Sequence, residues 1–387
     1  MKKLTNNKAH PSVPVKPQQG VIDIVIDCGN SIVKAMIHGR RNSVVEFPHA
    51  IRRTDAATFN GIVARHSRGL NRNIDVDSSV FEYAGQYVTV GENALLNGEE
   101  ARSGGPKYRD DYYPILFLGA LLKLLPNGHE NLRVMALFPP GDHRFIETMM
   151  NSLGKKHTVT RANGAKVVYK VREVLTCDEP VGGLRNFLLA SDGLHYSFSN
   201  IDPGLALCVD IGGKISSLVP FRANGFVDYE QAQSVDLGIQ DVMSGVGRVL
   251  LSMPEYDSFF SEYRGSELPH DEAMRDCLRT GFYPAGGYDI PALDAIADAT
   301  EAIRRQIKDI YEKRLGGQRA YRYITVTGGG GGLLYHQLVE HVLNFNPDKI
   351  FLCHDDLDTM HYANMFGADK VLAGLLSRES KNGRQSK

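Results

Sequence analysis

The sequence predicts an α/β protein made of two related lobes. Its 387 residues exceed the length at which one hydrophobic core usually stops growing, so two lobes are the natural expectation. A buried strand that ends in aspartate, followed by a glycine turn and a second apolar strand, occurs at residues 21–38 and again at residues 205–221. Helical segments alternate with strands in both halves. One pattern at the head of each half favours an ancient duplication.

The chain divides into two predicted lobes flanked by two tails. Both tails are expected to be disordered because they offer few apolar side chains to bury, and a charged tail that contacts DNA or a partner is the alternative. The boundary between the lobes is expected at 199–204, and the last helix is expected to be able to pack back on lobe I. The regions are a tail at 1–20, lobe I at 21–200 with an insertion at about 48–91, lobe II at 201–376 with an insertion at about 252–290, and a tail at 377–387.

The elements follow from the spacing of apolar residues. Residues 115–125 form the most apolar run, but this run is too short to cross a bilayer and contains Lys123, which indicates a buried helix. Strands are expected over residues 21–27, 33–38, 43–47, 80–83, 87–90, 133–138, 166–176, 205–210, 215–221, 225–229 and 321–327. Helices are expected over residues 112–125, 142–153, 180–190, 237–251, 271–278, 292–315 and 333–342.

Composition excludes several classes of protein. The formal net charge is −1, so the chain has no global basic field to hold nucleic acid or an anionic membrane. Its five cysteines are scattered without a C-x-x-C pair, which favours a reducing cytoplasm over a disulfide framework. The first residues lack the apolar segment of a secretory signal, and the last ones lack the large apolar residues of a membrane anchor. We therefore expect a cytoplasmic protein without a direct membrane anchor.

The first candidate site is the turn that follows the strand at 21–27. Asp27 ends the strand and would reach a hydrated Mg²⁺ on bound phosphates. Gly29 permits a tight turn whose backbone N–H groups can point at a phosphate, Asn30 and Ser31 add polar donors, and Lys34 adds a positive charge. An ordinary β-hairpin with polar turn residues is the alternative for this segment alone.

The second candidate site repeats this arrangement after the strand at 205–210. Asp210 ends the strand and would hold a metal or the attacking water. Gly212 and Gly213 follow in a turn that could enclose the other side of a triphosphate, with Lys214 available to supplement the phosphate contacts. Two such turns, each at the head of its lobe, are far more specific than either one.

The third candidate site is a run of five glycines that follows the strand at 321–327. Gly328, Gly329 and Gly330 would let the backbone lie flat against a nucleotide, near the adenosine. The segment is not a G-x-x-x-x-G-K-[ST] phosphate loop, and no dinucleotide-binding unit is evident. A flexible linker is the alternative, although linkers rarely lie between a strand and an amphipathic helix.

Together, the three sites resemble the actin superfamily of ATPases in their order and spacing. They match its first phosphate motif (D-x-G-[NS]-x-x-x-K), its second phosphate motif (D-x-G-G) and its adenosine motif (a strand followed by G-G-G). Two weaker matches to the connecting motifs are D-E-P-V-G-G at 178–183 and Y-A-N-M-F-G-A at 362–368. The resemblance covers about 21–376 and is greatest to the bacterial and archaeal plasmid-segregation proteins of the ParM/StbA type. It implies the duplicated, ribonuclease H-like, two-lobed actin fold with a nucleotide cleft between the lobes.

The resemblance also implies a role for each matching residue. Glu179 would polarise the attacking water, Asp210 would coordinate metal-bound water, and Gln240 and Asp241 would contact the ribose or base. The implied ligands are ATP, with GTP as the alternative, and Mg²⁺ held by Asp27 and, through water, by Asp210. The other implied nucleotide contacts are Gly29, Asn30, Ser31, Lys34, Gly212, Gly213, Lys214, Gly328, Gly329 and Gly330.

One departure from the family pattern bears on hydrolysis more than on binding. Family members often continue the second phosphate turn with Thr-Thr and an Asp, whereas this chain has Lys214-Ile-Ser-Ser217. The hydroxyl groups of Ser216 and Ser217 are kept, but the additional carboxylate is missing.

The resemblance implies a slow ATPase that polymerises head to tail with copies of itself. Such filaments would move plasmid DNA or position cargo through a DNA-binding adaptor, without direct binding to nucleic acid. A small-molecule kinase or phosphatase of the same superfamily is the first alternative. It would need an acceptor pocket with its own general base, and no carboxylate near the phosphate turns remains once Glu179 and Asp210 are assigned. A chaperone ATPase is the second alternative, but it would need a substrate domain after residue 376.

Overall fold

A computed structural model provides the structure for most of the chain. The described residues are 20–29, 31–67, 76–95, 112–140, 143–195, 205–222, 226–263, 266–269, 272–317, 320–335, 346–354, 356–357 and 359–385.

The described residues contain strands and helices in alternation. The strands are β1 (Ile22–Cys28), β2 (Ile32–Ile37), β3 (Val45–Pro48), β4 (Ile51–Thr54), β5 (Val80–Tyr83), β6 (Gln86–Val90), β7 (His129–Phe138), β8 (Lys156–Arg161), β9 (Lys166–Asp178), β10 (Ala206–Ile211), β11 (Ser216–Phe221), β12 (Gln233–Val235), β13 (Phe282–Ala285), β14 (Tyr288–Pro291), β15 (Tyr323–Thr327) and β16 (Ile350–Leu352). The helices are α1 (Ala56–Ser67), α2 (Val76–Ser79), α3 (Glu92–Leu95), α4 (Tyr112–Leu124), α5 (His143–Leu153), α6 (Glu179–Leu188), α7 (Ile239–Leu251), α8 (Glu272–Thr280), α9 (Leu293–Lys313), α10 (Gly329–Leu333) and α11 (Ala363–Gln385).

The strands form two large sheets that share one topology. The sheet of lobe I has the order β3-β2-β1-β7-β9-β8-β5-β6-β4, and the sheet of lobe II has the order β12-β11-β10-β15-β16. In both, the first strand pairs antiparallel with the second and parallel with the strand that follows a long crossover. The five-strand unit of lobe II therefore repeats the first five positions of lobe I. The α/β fold class and the duplication predicted from the sequence are confirmed.

Helices α6 and α11 lie between the two sheets. Each sheet has apolar side chains on both faces, and these two helices cover the inner faces. On β1, Val25 packs against α11, whereas Ile24 and Ile26 pack against α4 on the opposite face. On β10, Cys208 packs against α6, whereas Val209 packs against α7 and α9. Strands covered on both faces read as continuous apolar runs, which is why the sequence made β1 and β10 recognisable. The resulting layers are helix, sheet, a central helix pair, sheet and helix.

The central helices touch through their backbones. A Cβ atom on Gly182 or Gly367 would overlap the backbone of the facing helix, and one on Gly183 would lie 2.6 Å from Thr327 Oγ1 and 2.7 Å from Asn364 Oδ1. Such an approach is open only to residues without a side chain. The crossing therefore fixes the distance between the lobes within narrow limits.

Two expectations about secondary structure are corrected. The third strand of lobe II, predicted at 225–229, is not formed by the described residues 226–229. Phe221 and Val227 make only an isolated bridge there, and the third strand is β12. Residues 377–387 are not a disordered tail throughout, because α11 continues to Gln385 and Glu379 accepts a hydrogen bond from the Arg133 guanidinium at 3.1 Å. Arg133 is itself buried on β7 beside Asp23, so the last turns of α11 have a polar partner to hold them.

Several further expectations concern residues outside the described ranges. The predicted tail at 1–19, the boundary at 199–204 and the greater part of the helix predicted at 333–342 all lie there. The residues just before that part form α10, which starts in the glycine run.

The segment at 48–91 contributes β4, β5 and β6, which join the sheet of lobe I through β8, and the segment at 252–290 contributes α8 and the β13–β14 hairpin. No helix among the described residues is both long and apolar enough to cross a lipid bilayer.

The helix crossing gives the first prediction. We expect Gly183→Ala to lower the free energy of unfolding by about 1–3 kcal/mol, the usual cost of overpacking a close contact. The matched control is Gly61→Ala, at a helical position where a Cβ meets nothing within 4 Å, which should be neutral or stabilising by roughly 0.5–1 kcal/mol. Urea titration of both variants measures the difference. If the two variants had equal free energies of unfolding, the helix crossing would be packed less tightly than the structure indicates.

A second prediction concerns the contact between β2 and α11. His38 Nδ1 lies 2.6 Å from Asp369 Oδ1. Burial acts to lower the pKa of His38, but the hydrogen bond and charge of Asp369, together with Asp23, raise the pKa above its ordinary value. A raised pKa in the folded state stabilises the protein below the unfolded value, near pH 6.5, and the stabilisation is lost as pH rises through the folded value.

The wild-type protein should therefore exceed His38→Gln in free energy of unfolding by about 1–3 kcal/mol at pH 5.5 and by clearly less at pH 8.5. His129→Gln is the control for replacing a histidine, because His129 Nδ1 contacts the backbone N–H of Asn131 and not Asp369. Urea titrations at the two pH values provide the measurement. A His38→Gln difference that is the same at both pH values would contradict the expected role of Asp369.

Candidate nucleotide site

A cavity of about 630 Å³ lies between the two lobes, where the carboxyl ends of β1 and β10 face each other. This volume is in the range of ligand pockets. The cavity brings together the predicted residues Asp27, Gly29, Ser31, Lys34, Glu179, Asp210, Gly212, Gly213, Lys214, Gln240, Gly328, Gly329 and Gly330. Asn30 lies outside the described residues.

The first turn is organised by a buried ion pair. Asp27 and Lys34 are register partners on β1 and β2, and their carboxylate and ammonium groups lie 2.7 Å apart at 2% and 7% exposure. The Lys34 ammonium also donates a hydrogen bond of 2.6 Å to the backbone oxygen of His361, just before α11. Lys34 therefore holds its positive charge in the cavity and links lobe I to the segment that leads into α11.

The second turn places Asp210 in a hydrogen-bonded chain. The Asn364 amide donates to Asp210 Oδ2 at 3.2 Å, and Asn364 Oδ1 accepts from the Thr327 hydroxyl at 2.8 Å. Gly328 follows Thr327 with φ of +82°, and a Cβ at this position would overlap the Asp210 carboxylate. The glycine run thus lets β15 end directly beside Asp210. From the sequence, these glycines were expected only to contact the nucleotide.

The site concentrates negative charge. Burial raises the pKa of Asp210 to about 7, and the nearby carboxylates of Glu179 and Asp27 act in the same direction. The hydrogen bond from Asn364 and the charge of Lys34 oppose the shift. Glu179 enters the cavity as the first residue of α6, directly after β9 ends. Three carboxylates from three elements therefore converge on one cleft.

The carboxylates fit a divalent cation. Asp27 Oδ1 and Asp210 Oδ1 are buried and have no hydrogen-bond partner among the described residues. Carboxylate oxygens are preferred ligands of Mg²⁺, and a cation would stabilise the ionised form of Asp210, which burial and the charges of Glu179 and Asp27 disfavour. The residues present are therefore compatible with the magnesium ion that the resemblance implies.

The two phosphate turns meet across the cleft. Gln240 Nε2 donates to Ser31 Oγ at 2.8 Å, and a Cβ at Gly213 would overlap Ser31. Gln240 therefore lies between the two turns. Asp241 does not line the cavity. Its carboxylate accepts from the Gly238 N–H at 2.9 Å and caps the start of α7, so the structure gives this residue a helix-capping contact.

Sequence reasoning missed several residues that line the cavity. The His361 ring and the Tyr362 hydroxyl contact Glu46 at 3.3 and 2.7 Å, and the hydrogen bonds from His361 and Tyr362 lower the pKa of Glu46 to about 2 although burial opposes this. His49 Nδ1 donates to the backbone oxygen of Gly29 at 2.7 Å and steadies the first turn. Asn364 lies inside the Y-A-N-M-F-G-A motif at 362–368, so the sequence contained a signal that it belongs to the site. Glu272, Arg275 and Arg279 on α8, also missed, belong to a charged helix that reads as solvated surface. The carboxylates of Glu46, Glu92 and Glu272 line the same cavity, which corrects the expectation that none remains beyond Glu179 and Asp210.

Comparison with known proteins places this architecture. Residues 25–182 match the family model for the N-terminal domain of actin-like proteins. The chain is similar in structure to Ta0583, an archaeal actin homologue solved with ADP, at 15% identity and a TM-score of 0.66, covering 91% of this chain and 99% of that one. The actin-like protein Alp7A is 14% identical with a TM-score of 0.69, and the match covers 95% of this chain and 100% of that one. A 15-stranded ParM filament from Clostridium botulinum is 17% identical with a TM-score of 0.59, and the match covers 90% of this chain and 98% of that one. No curated protein sequence matches the chain.

The chain therefore has the actin-like fold, and the resemblance predicted from its three glycine turns is confirmed. More narrowly, residues 25–182 are similar to the N-terminal domain of the actin-like proteins.

The ion pair in the first turn gives the third prediction. Lys34→Ala should weaken the affinity for magnesium–ATP by about 1–3 kcal/mol, the usual cost of a lost charge-assisted contact. Lys214→Ala removes an exposed lysine from the same cavity and should cost less than about 1 kcal/mol. Calorimetric titration measures both affinities, with a thermal melt to verify folding. Unchanged affinity in a folded Lys34→Ala protein would remove Lys34 from the site.

Proposed function

We propose that the protein is an actin-like ATPase that binds magnesium–ATP in the cleft, hydrolyses it slowly and assembles into nucleotide-dependent filaments. The observation that carries the proposal is the pairing of Asp27 and Asp210, each at the carboxyl end of the first strand of its lobe, on opposite walls of one cavity. Two equivalent turns facing each other suit a ligand with a chain of phosphates between them.

The nucleotide would lie along the cavity with its phosphates between the two turns. Residues 27–34 would contact them from lobe I, and Gly212, Gly213 and Lys214 would contact them from lobe II. Gly328 to Gly330 would face the adenosine, with α8 completing the wall. The archaeal actin homologue solved with ADP supports a nucleotide in this fold. ATP is the proposed ligand and GTP the alternative.

Hydrolysis would depend on residues that hold and activate one water molecule. Glu179 would accept a hydrogen bond from this water and orient it toward the terminal phosphate. Asp27 and Asp210 would hold the magnesium ion, Asp210 through water, and a bound ion would neutralise phosphate charge. Ser216 and Ser217 are buried on β11, and Ser216 Oγ donates to the backbone oxygen of Leu237 at 2.8 Å. Ser217 lines the cavity, but neither hydroxyl supplies the negative charge of the carboxylate missing after the second turn, which fits a slow enzyme.

Assembly would join one face of the molecule to a different face of the next. Contacts of this kind build an open filament unless the rotation closes a ring. Nucleotide can control assembly because the cavity is formed by both lobes, so binding changes how the lobes are held. The ParM filament among the similar structures supports assembly. The proposal includes a role in segregating plasmid DNA or positioning cargo in the cytoplasm, which the motif resemblance implies. The net charge of −1 suits an adaptor protein, not this chain, as the DNA-binding partner.

The decisive experiment follows assembly and hydrolysis together. Protein at micromolar concentration should scatter light above a critical concentration once ATP and Mg²⁺ are added, and should then disassemble. Glu179→Ala should hydrolyse ATP about 10²–10⁴ times more slowly, and its filaments should persist. Glu92→Ala, which removes a different carboxylate from the same cavity, should behave like the wild type. Sedimentation and phosphate release measure the two processes.

Two outcomes would redirect the proposal. Sedimentation that shows only monomer or dimer, both with ATP and with a non-hydrolysable analogue, would exclude the filament and leave the ATPase. Phosphate transfer that rises steeply with a small-molecule acceptor would identify a kinase instead.

A further inference from the structure

The turn that carries Glu179 into the cavity is held from the opposite lobe. Asp178, the last residue of β9, directly precedes Glu179. Its carboxylate oxygen Oδ2 accepts a hydrogen bond from the hydroxyl of Tyr229, which lies between β11 and β12 of lobe II. A side chain of lobe II therefore contacts the residue next to the proposed water-orienting group.

Asp178 occupies a helix-capping position without capping the helix. An aspartate before the first helical residue usually accepts a hydrogen bond from the second or third backbone N–H of the helix. Asp178 makes no such bond, and the second residue of α6 is Pro180, which has no N–H. The Asp178 carboxylate therefore does not cap α6, and Tyr229 contacts it from outside the helix, at the point where α6 starts.

Tyr229 is suited to act as a permanent donor. Burial of part of its ring and acceptance by Asp178 both raise the pKa of Tyr229, so the hydroxyl keeps its proton throughout the ordinary pH range. The residue is nonetheless 48% exposed, close along the chain to Phe226 at 69%. The hydrogen bond lies at the molecular surface, although its acceptor adjoins the cavity.

We infer that Tyr229 is a positioning residue for hydrolysis, which holds Asp178 and thereby fixes the direction in which Glu179 enters the cleft. The inference rests on the proposed ATPase function. It assigns to Tyr229 no contact with nucleotide or water. Loss of the hydroxyl should therefore leave nucleotide binding intact and slow turnover only, because misplacing a catalytic group by a fraction of an ångström is costly.

The test is Tyr229→Phe, which removes the hydroxyl and leaves the ring. We expect kcat for ATP hydrolysis to fall by about 3- to 30-fold with an unchanged dissociation constant for magnesium–ATP and an unchanged melting temperature. Tyr288→Phe is the matched control, on a tyrosine of β14 that is 65% exposed, and should leave kcat unchanged. Asp178→Asn keeps an oxygen that can accept from Tyr229 and should keep kcat near the wild-type value, whereas Asp178→Ala should match Tyr229→Phe.

Combination with Glu179→Ala separates positioning from a purely structural role. If Tyr229 acts through Glu179, the slow single-turnover rate of Glu179→Ala should not fall further when Tyr229→Phe is added. An equal additional loss in that background, a parallel loss of nucleotide affinity, or an unchanged kcat in Tyr229→Phe would each overturn the inference. Hydrolysis that depends on Glu179 but not on Tyr229 would remove the positioning role alone. Absence of hydrolysis, or hydrolysis independent of Glu179, would remove the proposed function first.

Discussion

The two sheets lie on opposite sides of one pair of helices, and these helices touch backbone to backbone. Gly182 and Gly183 of α6 face Asn364 and Gly367 of α11 with no space for a Cβ between them. A packed contact of this kind has no slack, so a displacement of one helix is passed to the other. The sheets rest on the outer surfaces of the same two helices, so the shape of the cleft between the lobes depends on this crossing.

The chemistry of the site is attached to the same crossing. Glu179 is the first residue of α6, and Asn364 near the start of α11 holds Asp210 by its amide and Thr327 by its oxygen. Any shift of α6 along α11 therefore changes the arrangement of the acids. Burial of Asp210, and to a lesser degree the neighbouring charges of Glu179 and Asp27, raise its pKa, so the ionised form of this arrangement is costly without a cation. This suits a protein whose shape is meant to depend on what occupies the cleft.

Much of the fold and the cavity residues of the three glycine turns could be predicted from local patterns. Strands β1 and β10 are covered on both faces and so read as unbroken apolar runs. The turn after each must carry glycine, and the strand and the turn together made Asp27 and Asp210 recognisable as strand-end carboxylates. The residues that were missed depend on contacts between distant segments. Strand β8 alternates in burial but is short and polar, and it is defined by pairing with β5 and β9. Tyr229 falls in the segment predicted as a strand at 225–229, and no local pattern indicates its contact with Asp178, which is 51 positions earlier in the chain.

The C-terminal helix has a consequence for how the chain is made. Residues of α11 cover Val25, Met36 and Met135 on the sheet of lobe I, and Arg133 of that sheet holds Glu379 near the end of the helix. During synthesis these strands leave the ribosome first, yet their cover arrives only after all of lobe II has been translated. Nascent lobe I therefore carries an uncovered apolar sheet face while the remainder is being added, and such faces are where chaperones bind and aggregation begins. A chain interrupted before α11 would keep that face uncovered permanently, which makes premature termination far more damaging than its position suggests.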